Sequence, residues 1–283
     1  MKDFDGKTVV ITGGAGGIGR GMAAAFAAKG ARLALVDRDP ERLEQARAGL
    51  AAEGAQAMAI AFDIRDHARW KAAADEIEAT SGPISVLCNN AGIGSSSIGV
   101  APLHEIDAAQ WRFLVEVNLF GAFYGVHTIL PRMLGRGTPC HIVNTASLAG
   151  LYAQPGCSAY NASKYALIGM SDSLRLELEG TNVGISVLYP GVTATDFVTN
   201  SVKTVEEFLG RPTNASTEMA NLLASGMNPD KVGSFVVRCI EDERYHIFSD
   251  VSYKQVAEEA FDDRLAGLAQ GADPTFQSHL TRA

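Results

Sequence analysis

At 283 residues and 47% hydrophobic content, the chain is long enough for one large or two small domains with a sizeable core. Its net charge of −8 excludes a protein that grips nucleic acid or an anionic membrane through a basic surface, so any anionic ligand must be held by local geometry. No uninterrupted apolar run approaches the roughly 20 residues that span a bilayer; the longest candidate, Met22 to Ala28, is closed by Lys29. Residues Met1 to Lys7 lack the apolar core of a signal peptide, and a cytoplasmic enzyme is expected. Cys88, Cys140, Cys157 and Cys239 form no Cys-x-x-Cys pair, and the six histidines form no His-Glu-x-x-His or other pair at helical spacing. Neither a disulfide framework nor a metal site is predicted.

β-Branched and aliphatic runs at Thr8–Ile11, Arg32–Val36, Ala57–Phe62, Ile84–Cys88, His141–Thr145, Ile185–Leu188 and Tyr245–Ser249 predict seven strands. Between most of them apolar residues recur at helical spacing, as in Leu167, Met170, Leu174 and Leu178, or Val232, Phe235, Val236, Cys239 and Ile240. This alternation predicts a doubly wound α/β domain whose parallel sheet carries helices on both faces. Strands such as Val9-Val10-Ile11, apolar without alternation, fit burial on both sides. No linker divides the chain, so a single domain spanning 1–283 is expected. The stretch from about Thr193 to Asn228 breaks the rhythm and reads as an inserted lid, and Val251 to Ala283 read as a helix followed by a polar tail.

Directly after the first strand comes Thr12-Gly13-Gly14-Ala15-Gly16-Gly17-Ile18-Gly19, opening an Ala-rich helix that runs to Lys29. Glycines here permit the tight strand-to-helix turn and let backbone N–H groups approach a pyrophosphate. Asp37 follows Gly19 by 18 residues, at the end of the second strand, where a carboxylate accepts hydrogen bonds from ribose hydroxyls and repels a 2′-phosphate. NAD is therefore favoured over NADP, with Arg38 as a complication: its guanidinium either reaches a 2′-phosphate or is a solvated charge.

Tyr160 and Lys164 share a helix face about 6 Å apart along the axis. A free tyrosine titrates near pKa about 10, and bringing it to about 7 takes roughly 4 kcal/mol of differential stabilisation, which Lys164 and the positive nicotinamide ring together can supply. Ser147 ends the fifth strand, at the rim where such sheets bind ligands, placed to steady an alkoxide-like oxygen. Asn118 falls inside the helical stretch Ala108–Leu130, an awkward place for an amide unless it caps, bends or hydrates something.

In these residues the chain resembles the single-domain branch of the short-chain dehydrogenases/reductases over about residues 5–250. The matching motifs are Thr12, Gly13, Gly17 and Gly19, then Asp63 after the third strand and Asn89-Asn90-Ala91-Gly92 after the fourth. They continue with Asn118, Ser147, Tyr160 and Lys164, and with Pro190-Gly191 and Val192 to Thr195 after the sixth strand. The resemblance implies a Rossmann-type fold and a catalytic set of Asn118, Ser147, Tyr160 and Lys164. It implies a cofactor site of Gly13, Ala15, Gly16, Gly17, Ile18, Gly19, Asp37, Arg38, Asp63, Ile64, Asn90, Ala91, Gly92, Pro190, Gly191, Val192 and Thr195, joined by Tyr160 and Lys164. Asn118 is then expected to hold a water in a proton relay from Lys164.

The reaction expected is removal of a proton from a secondary alcohol by Tyr160 while the carbinol hydride passes to C4 of NAD, or the reverse. The start Met1-Lys2-Asp3-Phe4, the run Ile142–Leu148 and the stretch Asn228–Tyr253 are similar to bacterial aryl-ether Cα-dehydrogenases, which oxidise benzylic alcohols. Candidate substrate-facing residues are Ile98, Val100, Leu148, Leu151, Tyr152, Val198, Val202, Phe208 and Leu209, and they predict a bulky apolar alcohol or ketone. The resemblance also implies a homodimer or homotetramer through helices around 108–134 and 158–180. A nucleotide-sugar epimerase or dehydratase is disfavoured because few residues follow Gly191. A non-catalytic dinucleotide sensor is disfavoured because it needs no acid/base set.

Overall fold

The computed structural model describes residues 1–95, 101–213 and 217–269, with only the backbone at 217–219 and 268–269. Seven strands, β1 (Thr8–Thr12), β2 (Arg32–Asp37), β3 (Ala57–Ala61), β4 (Ile84–Asn89), β5 (Cys140–Thr145), β6 (Val183–Tyr189) and β7 (His246–Phe248), form one parallel sheet in the order β3-β2-β1-β4-β5-β6-β7. Each lies within two residues of its sequence-predicted position. The Rossmann-type doubly wound architecture is therefore present as expected.

Helices α1 (Gly17–Ala27), α2 (Pro40–Ala52) and α3 (His67–Ser81) follow the first three strands. A long helical stretch then comprises α4 (Ala108–Val115), a π-helical segment (Glu116–Phe120) and α5 (Gly121–Leu134). Helix α6 (Ser158–Glu177) precedes β6, and α7 (Phe197–Leu209), α8 (Thr217–Ala224) and α9 (Pro229–Glu241) lie between β6 and β7.

Two cores explain the unalternating strands. Val10, Ala34, Val36 and Ile142 join one core with Trp70, Ile77, Phe113, Ile129 and Leu174 from α3, α4, α5 and α6. Their neighbours Val9, Ile11, Leu33, Leu35 and Val143 join the other with Met22, Phe26, Leu43, Leu50, Val236 and Ile240 from α1, α2 and α9. Successive strand residues point to opposite faces, so a sheet covered on both sides must be apolar at every position. Val9, Val10 and Ile11 are all 0% exposed, each burial stabilising by about 1.5–3 kcal/mol.

The stretch Ala108–Leu134 spans 27 residues and is long and apolar enough, by length and composition, to cross a membrane, although half of its 18-residue apolar window is buried in the protein. Reading the sequence for uninterrupted apolar runs passes over it, because Arg112, Glu116 and Asn118 interrupt it. Phe113, Leu114, Ile129 and Met133 place its inner face in the core.

The segment from residue 193 to 228 leaves and re-enters at one point: Met227 N–H donates to Val192 O (2.9 Å), Ala194 N–H donates to Met227 O (2.8 Å), and Thr193 bridges Met227. Residues 1–250 constitute one compact unit. From Val251 a second unit begins, containing α10 (Lys254–Ala269).

Helices α1 and α9 meet backbone to backbone. A Cβ on Gly233 would stand 2.1 Å from Gly21 C, and one on Gly21 2.3 Å from Pro229 O. Gly233→Ala should cost about 1–3 kcal/mol by overpacking and lower Tm by roughly 2–4 °C per kcal/mol in thermal unfolding. An unchanged midpoint would contradict this contact.

Candidate active site

The order in which strands are added reverses at β1, whose neighbours β2 and β4 lead toward opposite edges. The loops after β1 and β4 thereby border the crevice where such sheets take ligands. Thr12 seals its floor: the hydroxyl accepts from Asn90 N–H (2.9 Å) and Ala91 N–H (3.0 Å) and donates to Cys88 O (3.3 Å). Asn90 returns its side-chain amide to Thr12 O (3.0 Å). Side chains have no room on this loop. A Cβ on Gly13, which sits at φ +66°, would lie 3.0 Å from Ala91 Cα, and one on Gly19 2.2 Å from Gly13 O. Gly17 is also left-handed, at φ +54°, and lies against Thr195.

Helix α1 starts without a side-chain cap and without an acid in its first turn. By contrast, α2, α3, α4 and α9 are capped by Asp39, Asp66, Asp107 and Asn228. The N-terminal N–H groups of α1, among them those of Ile18 and Gly19, and its positive dipole end remain available to an anion beside the glycine cradle. The site therefore fits a dinucleotide pyrophosphate.

Asp37, at the end of β2, accepts from Ala15 N–H and Asp39 N–H, both at 3.3 Å. Burial raises its pKa, and the N–H groups of Asp39, Ala15 and Arg38 oppose that rise. Arg38 is exposed but not solvated alone: it forms an ion pair with the equally exposed Glu207 of α7. Asp63 is engaged by Arg65, whose Nη2 lies 2.6 Å from Oδ2. The Ile64 side chain is buried, its tip would meet a Cβ on Gly121 at 2.4 Å, and its carbonyl accepts from Trp70 Nε1–H (2.8 Å). On the opposite wall, Pro190, Gly191 and Val192 follow β6, and Gly191 N–H donates to Ser249 Oγ (3.0 Å).

The π-helical turn resolves the problem of an amide inside a helix. Asn118 is 1% exposed; Oδ1 accepts from Ile93 N–H (2.8 Å), while Nδ2 donates to Ile93 O (2.9 Å) and to Ser163 Oγ (3.1 Å). Single π turns of this kind often mark functional sites. Ser163, which the sequence reading missed, donates to Tyr160 O (2.7 Å) and so ties Asn118 to the helix that carries Tyr160 and Lys164. Its position between those two residues was the available signal, but a hydroxyl bonding back along its own helix is common.

Lys164 is 4% exposed, and its Nζ donates to Thr145 O (2.9 Å) and lies 5.7 Å from the Tyr160 ring centre. The Ser147 hydroxyl accepts from Ala149 N–H (3.1 Å) and stands near enough to the Tyr160 phenol to favour its charged form. A Cβ on Gly92 would stand 3.0 Å from Asn118 Oδ1 and 3.6 Å from Lys164 Nζ, so these groups converge around a position that only glycine leaves open. Burial lowers the Lys164 pKa from 10.5 to about 8. Burial also raises that of Tyr160, with the Ser147 hydroxyl opposing. The depression expected from Lys164 and the nicotinamide ring together is not produced by the protein groups alone, since desolvation of the phenolate outweighs their contributions.

Among the expected substrate-facing residues, Leu148 and Val198 are buried, Leu151, Tyr152, Val202 and Leu209 are half-buried, and Phe208 stacks on Phe113 with ring centres 4.0 Å apart. Ile98 and Val100 lie outside the described residues. No cluster of three or more His, Cys, Asp or Glu suited to a metal occurs among the described residues.

The family model for short chain dehydrogenase matches residues 7–206. This chain belongs to the short-chain dehydrogenase family. It is 34% identical over 257 residues to a 1-deoxy-11-beta-hydroxypentalenate dehydrogenase of Streptomyces exfoliatus, covering 91% of this chain and 88% of that one. It is 32% identical over 266 residues to a C alpha-dehydrogenase of Sphingobium sp., covering 91% and 84%, in line with the resemblance noted above. A short-chain dehydrogenase/reductase from Burkholderia phymatum, solved in complex with NAD, superposes with a TM-score of 0.88 at 31% identity, covering 99% of this chain and 100% of that chain. A metagenomic short-chain oxidoreductase solved with NADP superposes with a TM-score of 0.68 at 28% identity, covering 87% and 96%.

The lowered pKa of Lys164 has a measurable sign. Between about 8 and 10.5 the unfolded chain holds a proton at this residue that the folded chain lacks, so folding becomes more favourable as pH rises through that window. Below it both states are protonated and the contribution is constant. In urea unfolding, wild type should gain stability relative to Lys164→Met from pH 8 to pH 10; a loss would contradict the burial of this amine.

Proposed function

We propose that this protein is an NAD(H)-dependent alcohol dehydrogenase or ketoreductase that interconverts a secondary alcohol and a ketone on a bulky apolar or aromatic substrate. The observation that carries this reading is the convergence of Ser147, Tyr160 and Lys164 beside the glycine cradle, at the C-terminal rim of the sheet. Gly13 to Gly19 and the open start of α1 hold the pyrophosphate, Asp37 meets the ribose hydroxyls, Asp63 and Ile64 border the adenine side, and Pro190 to Thr195 flank the nicotinamide. The bound dinucleotide supplies the hydride acceptor or donor.

Tyr160 takes the proton from the carbinol oxygen, or returns it to the ketone. Ser147, beside the phenol, steadies the reacting oxygen as charge develops on it. Lys164 remains largely protonated at neutral pH, and its positive charge favours the Tyr160 phenolate. Asn118 fixes the loop after β4 against α6, holding Lys164 at the spacing that a proton relay to solvent needs. Half-buried Leu151, Val202 and Leu209 support an apolar substrate, and both relatives named above are dehydrogenases. The preference for NAD rests on Asp37 and on the NAD complex of the more similar solved structure.

The segment from residue 193 to 228, pinned at its neck, is the lid of this site. Four free cysteines suit the reducing cytoplasm. Exposed Phe120, Phe123 and Leu134 of the π segment and α5, with Leu176 of α6, offer an apolar face for a homo-oligomer.

Two measurements test this reading. Followed by nicotinamide absorbance, wild type should reduce NAD with at least one bulky benzylic, steroidal or aliphatic secondary alcohol, and Tyr160→Phe should lower kcat by about 10²–10⁴. No turnover with either cofactor, in either direction, would overturn the assignment. In light scattering coupled to size exclusion, Phe123→Glu should shift wild-type oligomer toward monomer; a monomeric wild type would refute the proposed interface.

A further inference from the structure

Helix α7 is fastened to the segment that follows β2 by charges. Arg38 pairs with Glu207, Lys203 Nζ lies 3.2 Å from Asp39 Oδ2, and Arg42 Nη2 lies 4.0 Å from Asp196 Oδ2. Lys203 and Glu207 are four residues apart, on one face of α7. The rest of α7 is anchored independently: Val198 and Val205 are buried, Ser201 Oγ accepts from Gly94 N–H (3.1 Å), and Phe208 stacks on Phe113. An exposed ion pair contributes little by itself. Because packing already fixes the α7 backbone, however, only the two side chains remain to be ordered when Glu207 meets Arg38.

The charge pattern around Asp37 follows from these pairs. Arg38, Arg42, Lys203 and Arg65 are each matched by an acid, namely Glu207, Asp196, Asp39 and Asp63. We infer that Glu207 sets the cofactor specificity of this protein by withholding the Arg38 guanidinium from a 2′-phosphate. A 2′-phosphate would bring additional negative charge beside Asp37, Asp39 and Glu207, with the neighbouring guanidinium already committed. A ribose 2′-hydroxyl needs only the Asp37 acceptor. The inference deepens the proposed NAD-dependent reading and rests on it, and it gives the lid segment a second role as a selectivity element.

The test is calorimetric titration of NADH and NADPH, which needs no substrate, into wild type, Glu207→Gln, and Glu207→Gln combined with Arg38→Ala. Wild type should bind NADH more tightly than NADPH. Glu207→Gln should tighten NADPH by about tenfold, the worth of one charge-assisted hydrogen bond, while NADH changes far less. The gain should shrink at high salt, and the double variant should lose it. A wild type that prefers NADPH, or an unchanged NADH-to-NADPH ratio in Glu207→Gln, would overturn the inference while leaving the oxidoreductase reading intact. So would equal weakening of both cofactors, which marks a merely structural contact. Wild type binding neither dinucleotide would overturn both.

Discussion

The architecture depends on one close approach: the backbone of the loop after β1 against the backbone of the loop after β4. Neighbouring strands of a parallel sheet lie about 4.8 Å apart, so the loops leaving β1 and β4 can share a crevice only if neither fills it. Glycines at 13 and 19 and the Thr12 hydroxyl meet that condition, the first by having no Cβ and the second by satisfying the N–H groups of Asn90 and Ala91. With the floor sealed in this way, α1 can begin uncapped, because the groups that would demand a cap face the crevice. Helices α2, α3, α4 and α9 meet the same need with aspartate or asparagine side chains, whereas α6 and α7 also begin without one.

From that floor the remaining chemistry is a matter of controlled burial. The ammonium of Lys164 is nearly removed from solvent and keeps one backbone carbonyl, Thr145 O, as its partner. The cost appears as a depressed pKa, and the same desolvation holds Tyr160 in its neutral form. Lys164 is thus buried and Tyr160 half-buried, each nearer to its uncharged state than in water. A positive group arriving beside them shifts that balance toward the phenolate. Asn118 keeps this pair in register: its amide spans Ile93 and Ser163, and the π turn gives it room to do so without leaving the helix unsatisfied.

Much of this was legible in the sequence, for reasons that differ from residue to residue. Val9-Val10-Ile11 had to be a strand covered on both faces, and the structure places its alternate residues in two cores. The glycine run had to turn tightly because of its position between a strand and a helix. Asn118 was legible as an anomaly, but the π turn that explains it depends on backbone geometry that no residue pattern specifies. Arg38 was left between two readings, and the structure shows a third, since its partner Glu207 lies 169 residues away. The stacking of Phe208 on Phe113 and the meeting of Gly21 with Gly233 were hidden likewise, because pairings between distant segments leave no local period. The neck that joins Thr193 to Met227 falls where the rhythm is interrupted, while the attachment of α7 to the end of β2 left no local sign.

The most direct test of the central claim, that Tyr160 is an acid/base whose charge state is set by its enclosure, is a difference titration of phenolate absorbance between wild type and Tyr160→Phe, with and without NAD. The protein alone should show a phenolate signal from Tyr160 with a midpoint above the ordinary value of about 10, and saturation with NAD should move that midpoint downward. A midpoint that NAD leaves in place, or no difference between the two proteins at any pH, would contradict the account.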